Sequence, residues 1–331
     1  MKHLLILLLA LAFTGHPLRA QGSQQQKTDS RPPSSNPSVT PLDKEVDSAT
    51  LSYTMKQVTA GLSIGILKKG KTYFYGYGET VKGNHQVPDE HTIFEIGSIS
   101  KTFTATLLAD AVNNGRLGLD DPASKYLPDS IPALEFKSYP VTLKTLSNQS
   151  SGIPRMPANF HDWDNSNPYK NYHAADLFSF YKTFKLQRQP GEKYEYSNLA
   201  VGTLGVILEK VYGKSYERLV VEKICAPLGM NDTRQFIRKE DLGEAPAGLR
   251  KSLQLTHTVT FSDGANKVGL GWHIIRPGKD DLFFHNGGTG GFCTYLAINP
   301  DKKLAVVVLS NTAISVDAIG NALMKWLETH E

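Results

Sequence analysis

The order of the periodic segments constrains this 331-residue chain more than any other feature. Strand-like runs stand early, a long stretch of helical period and Pro-rich loops follows, and strand-like runs return before a last amphipathic segment. From Val58, VTAGLSIGILKKG and KTYFYGYGE read as two strands turning at Lys69 and Gly70, with glycine where a two-residue hairpin needs positive φ. Residues 98 to 114 carry Phe103, Ala105, Leu107, Leu108, Ala111 and Val112 at helical spacing and stop at Asn114 and Gly115. Helical signals then dominate to about residue 240, notably Leu199 to Tyr212 and Tyr216 to Cys225. GLGWHIIRP, DLFFH, GFCTYLAINP and KLAVVVLSN read as strands, and Val316 to Leu327 as a terminal helix. Connections between elements are short and unknotted, so this order predicts an α+β fold: one antiparallel sheet built from both chain ends, flanked by helices, with a helical subdomain inserted at about 115–240.

The two termini of that plan differ in composition. Lys2, the apolar run Leu4 to Phe13, and then Gly15, Pro17 and Ala20 have the layout of an export signal spanning residues 1–20. The run is too short for a membrane helix, which takes about 20 apolar residues. The expected protein is therefore periplasmic or secreted, with no stable membrane anchor. Residues 21–42, rich in Gln, Ser and Pro, have nothing to bury and read as a disordered tether, leaving 43–331 as the functional domain. Lys and Arg number 36 against 32 Asp and Glu, and two of the positives, Lys2 and Arg19, lie in the export segment. Such a balance excludes nucleic acid as the expected partner. Only two cysteines occur, Cys225 and Cys293, in helical and strand-like apolar contexts that read as two buried thiols. The ten histidines are scattered without metal-ligand spacing, so neither a metal nor an organic cofactor is expected.

Several short motifs compete for chemistry. Gly61-Leu62-Ser63-Ile64-Gly65 has the form of a nucleophile elbow, but that elbow needs a strand running into a helix, and Ser63 lies inside a strand that runs on to a hairpin. Ser98-Ile99-Ser100-Lys101 is different, because it opens a helical period after Gly97. Unpaired N–H groups and the dipole there favour developing negative charge, and Lys101, one turn on, can lie beside the Ser98 hydroxyl. A lysine serves as a base only when neutral, which requires its pKa to fall from about 10.4 toward about 7 to 8. The plain alternative is a capped helix with a solvated lysine. Tyr196 and Asn198 read equally as a packed aromatic and a helix cap before Leu199, and His285 before Gly287 and Gly288 as a structural histidine.

Taken together, residues 88 to 129, VTLKTLSNQSSGIP (141 to 154), residues 190 to 233 with Tyr196-Ser197-Asn198, GLGWHI (269 to 274) and HNGGTGGF (285 to 292) resemble the class C β-lactamase-like serine hydrolases. That family includes β-lactamases, D-alanyl-D-alanine carboxypeptidases, D-amino-acid peptidases and esterases, and shares the DD-peptidase/β-lactamase-like fold. The resemblance implies Ser98 as nucleophile with Lys101 as its SxxK partner. Tyr196 would approach the phenolate near two cations and exchange protons, Lys101 and Tyr196 both remaining candidates for the first base. Asn198 would donate to a substrate carbonyl and hold Lys101. His285 and Asn286 stand where β-lactamases carry Lys and Thr; His285, partly charged near neutral pH, would draw a substrate carboxylate weakly. Gly287 and Gly288 would permit close backbone approach, and the N–H groups of Ser98 and Gly288 would form the oxyanion hole. Two departures stand out: residues 233 to 269 are short for the family, with only Ala247-Gly248-Leu249 similar to its AGGL piece, and Asn148 to Gly152 replace a His-Thr-Ser-Gly sequence. The implied function is a serine hydrolase forming an acyl-enzyme with D-Ala peptides, β-lactams or small esters. The competing reading is a catalytically weak or inactive penicillin- or peptidoglycan-binding relative.

Overall fold

The structure is a computed structural model describing residues 32–160, 169–230, 232–233, 249–275 and 280–330. Helix α1 (Pro41–Thr54) precedes the first hairpin. The Thr40 hydroxyl accepts from the Asp43 N–H while the Asp43 carboxylate accepts from the Thr40 N–H, and Pro41 occupies the first turn, a reciprocal cap that pins the helix start. The expected tether therefore ends earlier than residue 42. Asn36 exchanges paired side-chain bonds with the Gly76 backbone, and the Gly78 N–H donates to the Pro33 carbonyl. Composition misled here because a polar segment can satisfy its backbone along another strand with no apolar side chain to bury. Residues 1–31, with the expected export signal, lie outside the described residues.

Strands β1 (Gly61–Lys68) and β2 (Lys71–Gly78) turn through Lys69 and Gly70 at φ 51° and 77°, the two successive positive values a tight hairpin requires. Ser63 lies within β1 and donates to the Asp89 carbonyl. Helix α2 (Ser100–Asn113) follows a short 3₁₀ turn, Gly97–Ile99. The inserted region holds a small hairpin, β3 (Glu135–Phe136) and β4 (Tyr139–Pro140), with α3 (Leu143–Ser147), α4 (Ala174–Tyr181), α5 (Asn198–Tyr212), α6 (Tyr216–Val220) and α7 (Leu249–Thr256). The chain then returns as β5 (Phe261–Ser262), β6 (Lys267–Val268), β7 (His273–Ile275), β8 (Leu282–Gly288), β9 (Cys293–Asn299) and β10 (Leu304–Ser310), and ends in α8 (Asp317–Thr329).

The main sheet has eight antiparallel strands in the order β2-β1-β10-β9-β8-β7-β6-β5. The two chain ends meet where β1 pairs with β10, Ile64 opposite Val308 and Ile66 opposite Val306. Alternate residues of β10 are buried, so its inward face packs with Val46, Leu62, Leu323 and Leu327 beneath α1 and α8. At about 1.5–3 kcal/mol for each fully buried large aliphatic side chain, this layer ties both ends together. A second core, including Leu107, Leu143, Leu146, Leu204 and Leu219, joins α2 to the inserted helices. Helix α2 belongs to that second core, yet the 3₁₀ turn that leads into it packs on β8 and β9. The seam between helical region and sheet therefore runs through Gly97–Ile99. Cys225 is buried and Cys293 only half-buried, and neither is in a disulfide.

Candidate active site

Two backbones are pressed together at that seam. A Cβ on Gly97, which adopts φ 52°, would lie 2.7 Å from the Gly288 nitrogen, and one on Gly287 would lie 2.2 Å from the Ile96 carbonyl oxygen and 2.9 Å from the Ser98 nitrogen. Only glycine fits at 97 and 287, and the end of β8 thereby abuts the backbone that carries Ser98. Gly288 has open space where a Cβ would be, so its backbone approaches Gly97 as closely as expected, but of the two β8 glycines only Gly287 has to be glycine.

The Lys101 ammonium nitrogen lies 3.1 Å from the Ser98 hydroxyl oxygen, as expected for residues one helical turn apart. Ser100 is exposed, whereas Lys101 is buried. Burial and the nearby Arg155 guanidinium lower its pKa to about 8. Tyr196 lies between two cations, the Lys101 amine at 4.8 Å and the Arg155 guanidinium at 4.9 Å from its ring centroid. Both face the π-system. Burial raises the Tyr196 pKa, and the opposing pull of its bond with Ser98 and of Arg155 does not cancel it. The expected drift toward phenolate is therefore corrected: the resting group is a phenol.

Ser197, not Asn198, caps α5, accepting from the Ala200 N–H and donating to the Pro154 carbonyl. The Asn198 amide is directed to the Tyr169 hydroxyl at 3.3 Å and the Met156 sulfur at 3.7 Å, so the expected hold on Lys101 is absent among the described residues. Gln149 takes a positioning part that sequence reasoning missed. Its side-chain oxygen accepts from the Ser197 N–H at 2.6 Å and its carbonyl from the Glu195 N–H at 2.7 Å. The departure at 148 to 152 thus anchors the Tyr196 segment from both sides.

His285 requires the largest correction. Its ring is 3% exposed, its Nδ1 lies 2.6 Å from the Asn286 carbonyl oxygen, and it packs against His273 at 5.5 Å between centroids. Burial, with His273 and Lys101 nearby, lowers its pKa to about 3. A neutral ring donating its Nδ1 proton to the Asn286 carbonyl sits inside the wall, so a partly charged imidazole in the cleft is not what forms. His273, whose Nε2 is 3.4 Å from the Tyr194 hydroxyl, lines the cleft instead. The cleft has a volume of about 430 Å³ and exposes Ser98, Arg155, Tyr196, Asn286, Gly287, Gly288 and Asp317 along its walls. Asp317 joins through the Asn286 amide, which donates to it at 2.9 Å. No sequence signal marked Arg155 or Asp317, and His273 stood in the GLGWHI segment without being singled out, since no local pattern says which residues line a site. Among the described residues no cluster of His, Cys, Asp and Glu has the arrangement to hold a metal ion. Ala247 and Gly248 lie outside the described residues, while Leu249 opens α7, which packs against α2.

The protein-family profile described as Beta-lactamase matches residues 45–241 and 234–327. The chain belongs to the beta-lactamase family. It is 28% identical over 350 residues to a beta-lactamase of Pseudomonas fluorescens, covering 82% of this chain and 94% of that protein. Its identity to the D-alanyl-D-alanine-carboxypeptidase/endopeptidase AmpH of Escherichia coli strain K12 is 26% over 306 residues, or 75% and 78% of the two chains. A solved class C beta-lactamase superposes with a TM-score of 0.73 at 25% identity, over 88% of this chain and 96% of that one. The beta-lactamase/D-alanine carboxypeptidase of Yersinia pestis shares the fold at a TM-score of 0.70 and 22% identity, covering 86% and 96%. The family is one of serine hydrolases, and the fold is the expected β-lactamase/DD-peptidase one. No helix among the described residues is long and apolar enough to cross a membrane.

Proposed function

We propose that this protein is a periplasmic or secreted serine hydrolase that forms an acyl-enzyme on amide or ester bonds of small molecules or peptides. The observation that carries the reading is the 3.1 Å contact between the Ser98 hydroxyl and a buried lysine whose pKa is about 8. An amine so placed is partly neutral near physiological pH and accepts the hydroxyl proton as Ser98 attacks the carbonyl. The first base is then Lys101. Tyr196, protonated at rest, donates to the leaving atom and recovers a proton when water attacks the acyl-enzyme.

The developing oxyanion is met by the N–H groups of Ser98 and Gly288, which the close approach at Gly97 and Gly287 supports. Each such donor contributes about 3 kcal/mol of barrier lowering. Gly288, with open space where a Cβ would be, gives the substrate room beside β8, and Asn198, whose N–H donates to the carbonyl of the cleft-lining Arg155, stands next to the cleft. D-Ala peptides, β-lactams and small esters are the candidate substrates. Efficient β-lactam turnover is disfavoured, because the neutral, enclosed His285 supplies no charge for a carboxylate. The test is incubation of the protein and of Ser98→Ala with a fluorescent penicillin and with a short-chain nitrophenyl ester. Ester turnover abolished in the variant supports the reading; stable labelling without turnover favours a penicillin-binding relative, and neither signal removes it.

A further inference from the structure

The cleft carries two formal charges of opposite sign that the proton transfers do not consume. Arg155 is exposed beside Tyr196, and among the described residues no carboxylate lies within ion-pair distance of it. Asp317 is half-buried on the wall formed by the end of β8 and the start of α8. A carboxylate in the first turn of a helix is favoured by the dipole, and one of its oxygens accepts from Asn286. Its other oxygen has no hydrogen-bond partner among the described residues. Among the described residues no cation on that wall balances it: the His285 ring is enclosed and neutral, and the Asn286 amide is directed at Asp317 itself. The field of Asp317 is felt by its neighbours, adding to the rise that burial imposes on the Cys293 thiol and the Tyr295 phenol.

Resting on the acyl-enzyme reading and deepening it, we infer that Asp317 sets the charge selectivity of the cleft. The part of the substrate lying against β8 and α8 is cationic or neutral and never a carboxylate, while Arg155 accommodates negative charge beside Tyr196. The fitting class is an ester or amide bearing an amino group, with any acidic group separated from it. A partly screened unit charge at a few ångströms separates a cation from an anion by about tenfold in affinity, and salt diminishes the difference.

The test uses acetyl esters of two matched nitrophenols, one bearing a trimethylammonium group and one a carboxylate. In the wild type the cationic ester is expected to exceed the anionic one in kcat/KM by about tenfold. Asp317→Asn, which retains an oxygen to accept from Asn286, is expected to collapse that ratio to within about threefold. Arg155→Gln is expected to widen it. A structural role would lower both esters together and leave the ratio intact, which overturns the inference. Turnover that survives Ser98→Ala, or no turnover of either ester, counts against the acyl-enzyme reading instead. The charge preference is then read by calorimetry with the two nitrophenols alone, on wild type and Asp317→Asn. Tighter binding of the cation that disappears in the variant supports the inference; equal binding, or binding of neither, overturns it.

Discussion

An amine moved out of water beside a guanidinium has two consequences, one for rate and one for stability. With Lys101 near a pKa of about 8 through burial and then Arg155, the form that the proposed acylation uses is the deprotonated one. Rising pH therefore increases kcat/KM through an apparent pKa near 8, as a pH-rate profile on an ester would record. Arg155→Leu should move that limb upward, because a neighbouring cation no longer opposes protonation. The same group destabilises the fold. Native Lys101 holds its proton less tightly than the unfolded chain, whose lysine titrates near the model value of 10.5, so the cost is full below about pH 8 and fades as pH rises toward 10.5. Lys101→Met should raise stability at pH 7 by about 1–3 kcal/mol while abolishing acylation; denaturant melts at pH 7 and pH 10 would show the gain shrinking at the higher pH. The spacing of Ser98 and Lys101 was legible in sequence because one helical turn decides it. The fate of His285 was not, because strand position does not say that His273 of β7 and Lys101 of α2 stand near its ring.

Elements act here through backbone proximity. Gly287→Ala must push β8 away from the Ile96 and Ser98 backbone, and a displacement of the order of an ångström at the oxyanion donors costs about 100-fold in kcat. Gly288→Ala, which meets open space and keeps its N–H, should stay within a few-fold. Steady-state kinetics of the pair would expose any error in this assignment, since equal losses would mean that the approach at Gly287 is not what holds the donors. Helices α5 and α8 and the strands from β8 to β10 follow their hydrophobic periods closely. Helix α1 escaped attention, because its apolar face is thin and its buried positions, Leu42, Asp43, Val46, Thr50 and Tyr53, are partly polar themselves. Its stability comes from packing on α8 and from the Thr40 and Asp43 cap, the first of which no window of local sequence contains.

At the scale of the molecule, two cores meet at the turn that carries Ser98, so each can be disturbed separately. The α8 helix approaches β9 closely enough that a Cβ on Gly320 would lie 2.1 Å from the Tyr295 ring. Gly320→Ala should therefore destabilise the sheet layer by about 1–3 kcal/mol through overpacking, with a lower midpoint in thermal melts, even though alanine is the better helix former. An unchanged or raised midpoint would show that α8 can shift outward freely.

What the chain's sequence determined alone was the order of strand, helix and strand segments, the helical spacing of Ser98 and Lys101, and the tight hairpin at Lys69 and Gly70. Those properties depend on neighbours a few residues apart. Tertiary structure alone decided that Lys101 loses affinity for its proton, that Tyr196 retains its own, that His285 turns inward while His273 takes the wall, and that Asp317 faces Ser98's cleft. Each of these depends on desolvation and charge contributed by distant segments, and water is excluded only once the sheet and the helical insertion have closed on each other.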